Sequence, residues 1–306
     1  MYCIGPTWLK GGGILMKKVL IWVLVFVLLP ITALADLQVY FLDVGQGDST
    51  LVLCDGESMI IDGGPASASE FVYSFIRNTV KLEHMDYMIL SHPHEDHVGG
   101  LSAVLNAVPV DLILTSIDEW GSKKFASMKS LADAQGAPII VPNEGDTLQL
   151  GGATVTILHC WPEAGEYTSM NDASIVVRID YGETSFIITG DAEYTSEYMM
   201  VDSQFPLKAD VLRIGHHGSY TSTTREFVEA VNPRYAVISC GKGNEYGHPH
   251  QVVLNRLAGT DVFRTDLQGT ILCVSDGTNI RFSLEKETQE NLYAAPATAA
   301  PESTGV

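Results

Sequence analysis

The sequence predicts an α/β fold in which two β-rich halves stack face to face with helices on both outer faces, an αββα sandwich. Three observations predict it. Strand-length runs of β-branched and apolar residues alternate with helix-period segments, the habit repeats through a second half, and neither linker nor internal repeat separates the halves. A chain of 306 residues, 46% hydrophobic, is long enough to bury one large core.

The first half opens with β-rich runs at Leu37 to Leu42, Ser49 to Leu53 and Ser58 to Ile61, punctuated by Gly45, Gly47 and Gly56. A helical pattern from Ala68 to Thr79 leads to an apolar strand, Tyr87 to Leu90. Helix is expected again at Leu101 to Ala107 and around Phe125 to Ala134, with a strand at Leu112 to Thr115 between them. In the second half, strands are expected near Thr154 to Leu158, Ser174 to Ile179 and Ser185 to Thr189, then a helix across Ala192 to Val201. Strands at Val211 to Ile214, Tyr235 to Ser239, Val262 to Arg264 and Thr270 to Val274 alternate with helices near Thr224 to Val231 and Val252 to Leu257.

Both ends depart from this pattern. Lys17 and Lys18, the apolar run Val19 to Leu29 and the sequence Ala33-Leu34-Ala35 form the charged, hydrophobic and cleavage regions of a signal peptide. The apolar run is short for a membrane span. Residues 1–35 are therefore expected to be an N-terminal extension and signal peptide, with Met16 the better start, and the mature protein is expected to be secreted or at the cell surface. An uncleaved signal would instead anchor it to the membrane. Residues 36–284 form the folded domain. From Glu285 to Val306 the composition turns to Ala, Pro, Thr and Glu, which predicts a mobile tail.

The formal charge of −19 argues against non-specific adsorption to nucleic acid, because that binding rests on Lys and Arg displacing phosphate counterions. No tight duplex binding is expected. The five cysteines show no CxxC spacing, so neither a zinc knuckle nor a thioredoxin motif is readable, and small buried residues are the expectation for them.

Chemistry concentrates where an apolar strand ends. Ser91-His92-Pro93-His94-Glu95-Asp96-His97 places four metal-ligating side chains within six residues, followed by Gly99-Gly100. In such a turn His92 and His94 project toward one metal, while Asp96 and His97, at the start of the next helix, reach a second. Imidazole and carboxylate suit zinc, and also manganese or iron. Two later strands end in further ligands: Phe186 to Thr189 in Gly190-Asp191, and Val211 to Ile214 in Gly215-His216-His217-Gly218-Ser219. Alone, Asp191 would more often be a turn or helix-cap residue. Beside the histidine cluster it can bridge two cations about 3.5–4 Å apart, so that a shared hydroxide attacks the substrate. Of His216 and His217, one reads as a ligand and the other as a proton donor or phosphate contact. The loop Tyr246-Gly247-His248-Pro249-His250, next to Asn244, can touch a phosphate or protonate a leaving group. His159, ahead of Cys160-Trp161-Pro162, reads as a packing residue.

These motifs, together with Phe41 to Ser49, Ile61-Asp62-Gly63-Gly64, Asn171-Asp172-Ala173-Ser174 and Arg264-Thr265-Asp266, resemble the metallo-β-lactamase superfamily. More narrowly they resemble the soluble hydrolase domain of ComEC-type DNA-uptake proteins. The resemblance implies that His92, His94 and Asp191 hold one metal, while Asp96, His97, Asp191 and one of His216 and His217 hold the other. Asp62 would orient ligands; Asp43, Asn171, Ser174, Ser219 and Asn244 complete the set of orienting or substrate-contacting candidates. Asp96, His217 and His248 are the candidates for direct catalytic roles. One departure is visible: where many members carry a further histidine ligand, this chain has Asn171 to Ser174.

The function implied is an exported hydrolase using two divalent ions, zinc or manganese, on a phosphodiester, single-stranded DNA included. A phosphocholine esterase, a lactonase or another small-ester hydrolase is the alternative within enzymes. A non-catalytic accessory or binding protein is the alternative outside them, and a full set of ligands argues against it.

Overall fold

The computed structural model describes residues 36–164 and 168–296. The signal peptide, Met16 and Cys3 lie outside the described residues.

Among the described residues, fifteen strands form two sheets. The first runs β15 (Ile280–Leu284), β14 (Ile271–Ser275), β1 (Leu37–Phe41), β2 (Thr50–Cys54), β3 (Glu57–Ile61), β4 (Met85–Leu90), β5 (Val110–Thr115) and β6 (Ile139–Ile140). The second runs β13 (Asp261–Arg264), β12 (Tyr235–Ile238), β11 (Val211–Arg213), β10 (Thr184–Ile188), β9 (Val176–Tyr181), β8 (Ala153–His159) and β7 (Thr147–Leu150). Period-two alternation explains the packing. Leu37, Val39 and Phe41 of β1 point into the space between the sheets, where they meet Ile157, Val177, Phe186 and Ile188.

The outer faces carry the helices. Ile60, Met88, Leu90 and Ile113 pack beneath α1 (Ser69–Ser74), α3 (Leu101–Ala107) and α4 (Lys123–Gln135), whose Val72, Leu101, Val104, Phe125 and Met128 are buried there. On the other side Ile187, Leu212, Ala236 and Ile238 meet Met200, Phe227, Val231 and Val253 from α5 (Tyr194–Asp202), α6 (Arg225–Val231) and α7 (Gln251–Arg256). The result is the expected four-layer αββα sandwich. Helix α4 shows the local logic: the Ser122 side chain accepts from Phe125 N–H at its start, and Gly136 at φ 72° ends it.

Strands β3 to β6 are mutually parallel, as are β10 to β13. Asp62, Ser91, Gly190, Ile214 and Ser239 each follow the carboxyl end of one of them, the position where open α/β sheets place their ligand sites.

Three strands were not expected. Strand β6 has two residues, β7 alternates Thr and Gln with Leu, and β15 lies at the sheet edge with no fully buried position. The segment after β15 also corrects the expectation of a mobile tail from Glu285, as far as residue 296. Arg264 donates to the carbonyls of Leu292 and Ala294, Gln251 holds Tyr293 and Ala295, and Lys286 N–H donates to the Gln268 carbonyl. Backbone pairing with polar side chains, rather than apolar periodicity, holds it in place. Residues 297–306 lie outside the described residues. Cys54, Cys160, Cys240 and Cys273 are free and buried, as small core residues. No helix of the described residues is long and apolar enough to cross a membrane.

Candidate metal centre

The two sheets meet at the carboxyl ends of β4 and β10, and the clustered side chains come from both. Asp96 and His97 lie on the short helix α2 (Glu95–Val98), Asp191 follows β10, and His217 follows β11. Their ligand atoms all fall within 4.8 Å of one another. Asp191 Oδ2 stands 3.2 Å from His97 Nε2 and 3.3 Å from His217 Nε2, and Asp96 Oδ2 stands 3.2 Å from His217 Nε2.

The orientation of these groups fits a cation better than it fits one another. His97 Nε2 and Asp191 Oδ1 are buried without a hydrogen-bond partner, a costly arrangement unless a ligand satisfies them. The outer nitrogens, by contrast, are fully engaged. His97 Nδ1 lies 2.7 Å from Asp62 Oδ2, and His217 Nδ1 lies 2.9 Å from the Ser239 carbonyl oxygen. Each contact fixes a ring so that Nε2 faces the cluster, as carboxylate and carbonyl partners do for metal-ligating histidines. Two imidazoles and two carboxylates are donors that divalent zinc, manganese or iron accept.

A second group adjoins the first. His92 Nε2 lies 3.0 Å from His94 Nδ1 and 3.9 Å from Asp191 Oδ2, and its ring centroid is 4.2 Å from that of His97, so these two histidines adjoin the first group. Where a further histidine was missing from the sequence, Asn171 donates through Nδ2 to Glu193 Oε1 at 3.1 Å. Glu193 also lies 2.9 Å from His216 Nδ1, which leaves His216 Nε2 3.9 Å from Asp191 Oδ2. The pair that spacing could not separate is thereby separated: His217 joins the tight cluster, and His216 stands beside Asp191, steered by Glu193.

The backbone is shaped to make this possible. Asp62, His216 and His217 adopt left-handed φ values of 61°, 45° and 55°, a conformation uncommon outside glycine but best tolerated by Asn, Asp and His. Gly47, at φ 152°, passes so close to helix α2 that a Cβ there would lie 2.5 Å from the Asp96 carbonyl oxygen. Gly190, at φ 52°, brings the backbone ahead of Asp191 against Ser91, and Ser174 Oγ accepts from Asp191 N–H at 3.0 Å. Both glycines set the distance between the metal-facing loops.

Charge is arranged to match. Burial works against an imidazolium at His97, but the carboxylates of Asp191, Asp62 and Asp96 outweigh it and hold its pKa well above the ordinary histidine value. His217 behaves the same way: burial opposes its charge, Asp191 and Asp96 overcome it, and its pKa rises to about 9. Burial drives His92 well below the ordinary value and lowers His94 as well. Asp191 is buried too, yet His217, His97 and His216 keep it ionised, with its pKa well below the usual carboxylate range. The carboxylates of Asp191, Asp96 and Asp62 thus make the cluster an environment that favours positive charge.

Several candidate residues fall elsewhere. Asp43 Oδ1 accepts from Gly45 N–H in its own turn, while Lys286 approaches Oδ2 at 3.6 Å, so it shapes the hairpin and corrects the expectation of a ligand-orienting role. Asn244 is also corrected: Oδ1 accepts from His248 N–H, and Nδ2 donates to the Gly241 and His248 carbonyls, which spends its side chain on closing the loop. Ser219 Oγ contacts Thr221 Oγ1 at 3.0 Å, next to His216. His248 lies against the cluster, its ring 5.6 Å from His216 and 6.3 Å from His217 by centroids. Burial, joined by His217, His216 and His250, pushes His248 down to about 3. His159 has both nitrogens engaged, with Glu144 and the Asp172 carbonyl, as a packing residue should.

Arg213, Asp48 and Glu193 were missed. Arg213 is fully buried, pairs with buried Asp48 at 2.9 Å and approaches Asp191 Oδ1 at 3.8 Å. An arginine inside the apolar run Val-Leu-Arg-Ile was the available signal, as was a second acid two residues after Asp191.

The sequence model of the metallo-beta-lactamase superfamily matches residues 42–242. The chain belongs to that superfamily. It is a metal-dependent hydrolase by family and is related to competence proteins. It is 34% identical over 253 residues to ComE operon protein 3 of Bacillus subtilis, covering 76% of this chain and 32% of the relative. It is 30% identical over 234 residues to competence protein ComA of Neisseria gonorrhoeae, covering 75% of this chain and 31% of the relative. The chain therefore spans about a third of the length of these two relatives. The metallo-beta-lactamase fold protein YhfI from Bacillus subtilis superposes with a TM-score of 0.53 at 14% identity, over 79% of this chain and 100% of YhfI. That likeness concerns the fold.

Proposed function

We propose that this metallo-beta-lactamase superfamily member is an exported phosphodiesterase that holds two divalent ions, zinc or manganese, and cleaves phosphodiester bonds in single-stranded nucleic acid. The observation that carries the reading is the position of Asp191 Oδ2, 3.2 Å from His97 Nε2, 3.3 Å from His217 Nε2 and 3.9 Å from His92 Nε2. Similarity to a competence protein supports the choice of substrate, and the Lys17 to Ala35 pattern supports export.

Divalent ions, when bound, supply Lewis acidity: they stabilise charge developing on phosphoryl oxygens and lower the pKa of water. The protein's own groups set the geometry. Asp62 and the Ser239 carbonyl aim His97 and His217, and Ser174 fixes the backbone of Asp191. Glu193 holds His216 Nδ1, so that Nε2 is left to face the substrate side of Asp191. Neutral His248, with Nδ1 unpartnered, offers a hydrogen bond to a substrate oxygen from the rim of the cluster.

The test is hydrolysis of bis(p-nitrophenyl) phosphate and single-stranded DNA by the chain from Asp36 onward, with zinc or manganese, beside His94→Ala and Asp191→Ala. Metal-dependent turnover lost in both variants is expected. Absence of turnover with two ions bound would overturn the phosphodiesterase reading in favour of small carboxylic esters or lactones.

A further inference from the structure

Two tyrosines stand around the cluster without serving the core, and Trp120 joins them from the edge of the outer hydrophobic layer. Tyr246 is 58% exposed and Tyr220 is 64% exposed, yet each is held against a histidine. Tyr246 stacks on His248 with ring centroids 5.5 Å apart and planes 24° apart, and His248 stacks in turn on His217 at 6.3 Å and 27°. A column of rings therefore runs from the metal cluster to the surface and ends in an open tyrosine face. Tyr220 meets His250 edge-on at 5.1 Å, and its N–H donates to His250 Nδ1. His250 lies 4.9 Å from His248, which ties the two tyrosines to one loop system. Toward His94, the Trp120 ring lies 6.3 Å away and lines a pocket of about 390 Å³ with Ile117, Val141, Pro162, Met170 and the acidic Asp118 and Glu119.

Two exposed rings, each fixed by a histidine beside the cluster, present flat amphipathic faces to a planar ligand. The chemistry of the surface narrows what they meet. A chain of net charge −19 draws little affinity from neutralising phosphates, so a nucleic-acid strand must be held by another term. Base stacking on aromatic rings is that term: it tolerates any sequence, because every base presents a π face, and it requires bases that are not already stacked in a duplex.

We propose that Tyr246 and Tyr220 form a stacking platform for the bases that flank the phosphodiester at the metal cluster, with Trp120 receiving a base on the His94 side. The proposal rests on the phosphodiesterase reading above and assigns its specificity: single strands bearing bases, whatever their sequence.

The test compares binding of a labelled, phosphorothioate-protected oligothymidylate with that of the same backbone carrying abasic sites, by fluorescence anisotropy on the metal-loaded protein. The base-bearing strand should bind about tenfold or more tightly, since one stacked base contributes about that factor. Tyr246→Ala and Tyr220→Ala should each reduce the difference about fivefold or more, and Tyr246→Phe should keep it; both positions are exposed, so the fold is preserved. Equal binding of the two strands, or a difference that survives both alanine variants, would overturn the platform whether or not bis(p-nitrophenyl) phosphate is hydrolysed. Displacement of the strand by tetramethylammonium but not by thymidine would also overturn it, assigning the rim to a quaternary ammonium instead. A base-dependent difference without hydrolysis of either phosphodiester would keep the platform and defeat the reading of the reaction.

Discussion

Asp62 Oδ2 lies 2.7 Å from His97 Nδ1 and accepts at 2.6 Å from Ser91 Oγ, so one buried carboxylate sets the direction of the ring that faces Asp191. Its backbone is left-handed at φ 61°, a conformation that asparagine also tolerates. Asp62→Asn should therefore keep the fold while weakening the charge-assisted contact. Metal affinity is expected to fall about 10- to 100-fold, the usual effect of losing a partner behind a ligating histidine. Calorimetric titration of the metal-free protein checks it, and an unchanged dissociation constant would show that Asp62 does not steer His97.

The metal-free protein should be most stable near pH 6.5, the ordinary histidine value. His217, raised to about 9, contributes stability that is fully present below about 6.5 and is lost as pH climbs toward 9. His248, lowered to about 3, acts oppositely: its contribution is present above about 6.5 and is lost as pH falls toward 3. Thermal melts across this range, with chelator present, should give a maximum rather than a monotonic trend. Adding zinc should raise the melting temperature most on the alkaline side, where fewer protons compete for His217.

Arg213 and Asp48 form a fully buried pair at 2.9 Å behind the cluster. Replacing Arg213 by Met strands the Asp48 carboxylate in the interior, and breaking such a pair costs about 3–5 kcal/mol. Urea denaturation should show that loss for Arg213→Met and recover a good part of it in the double variant with Asp48→Asn. A loss below about 1 kcal/mol would mean that water reaches Asp48.

Gly190 precedes Asp191 at φ 52°, and a Cβ placed there would lie 2.7 Å from Ser91 Cβ. Gly190→Ala is expected to destabilise the protein by about 1–3 kcal/mol through overpacking and positive φ. Metal affinity should fall with it, because Asp191 follows Gly190 directly and Ser91, against which it packs, precedes His92. Ala at Gly121, where no neighbour lies within 4 Å of a Cβ, is the matched control and should leave both unchanged.

The layered fold was legible because the strands that build it are strongly patterned: the run Tyr87 to Leu90, within the observed Met85–Leu90, and most of the fully buried β10 stand out by their apolar character. Strands β6, β7 and β15 escaped because they are short or half exposed and are recruited by pairing rather than burial. The four cluster residues were all visible as donors at strand ends. Which of His216 and His217 faces the cluster was not, since adjacent residues share one spacing and only the left-handed turn decides it. Asn244 misled because a polar side chain near two histidines looks available, whereas three contacts within its own loop consume it. Glu193 and Arg213 act on ligands from behind, and the sequence marked them only weakly, by an acid two residues after Asp191 and an arginine inside an apolar run.

Asp96 and His217, 121 positions apart in the chain, come within 3.2 Å only because the two sheets have already closed on each other. A cation held between them is a clasp across the seam of the sandwich. The site thus reports on the mechanical integrity of the whole molecule: whatever pries the sheets apart at that edge releases the ion, and removing the ion loosens the edge. Slow amide exchange in β4 and β10 should quicken together on chelation, because one strand from each sheet leads into the same clasp.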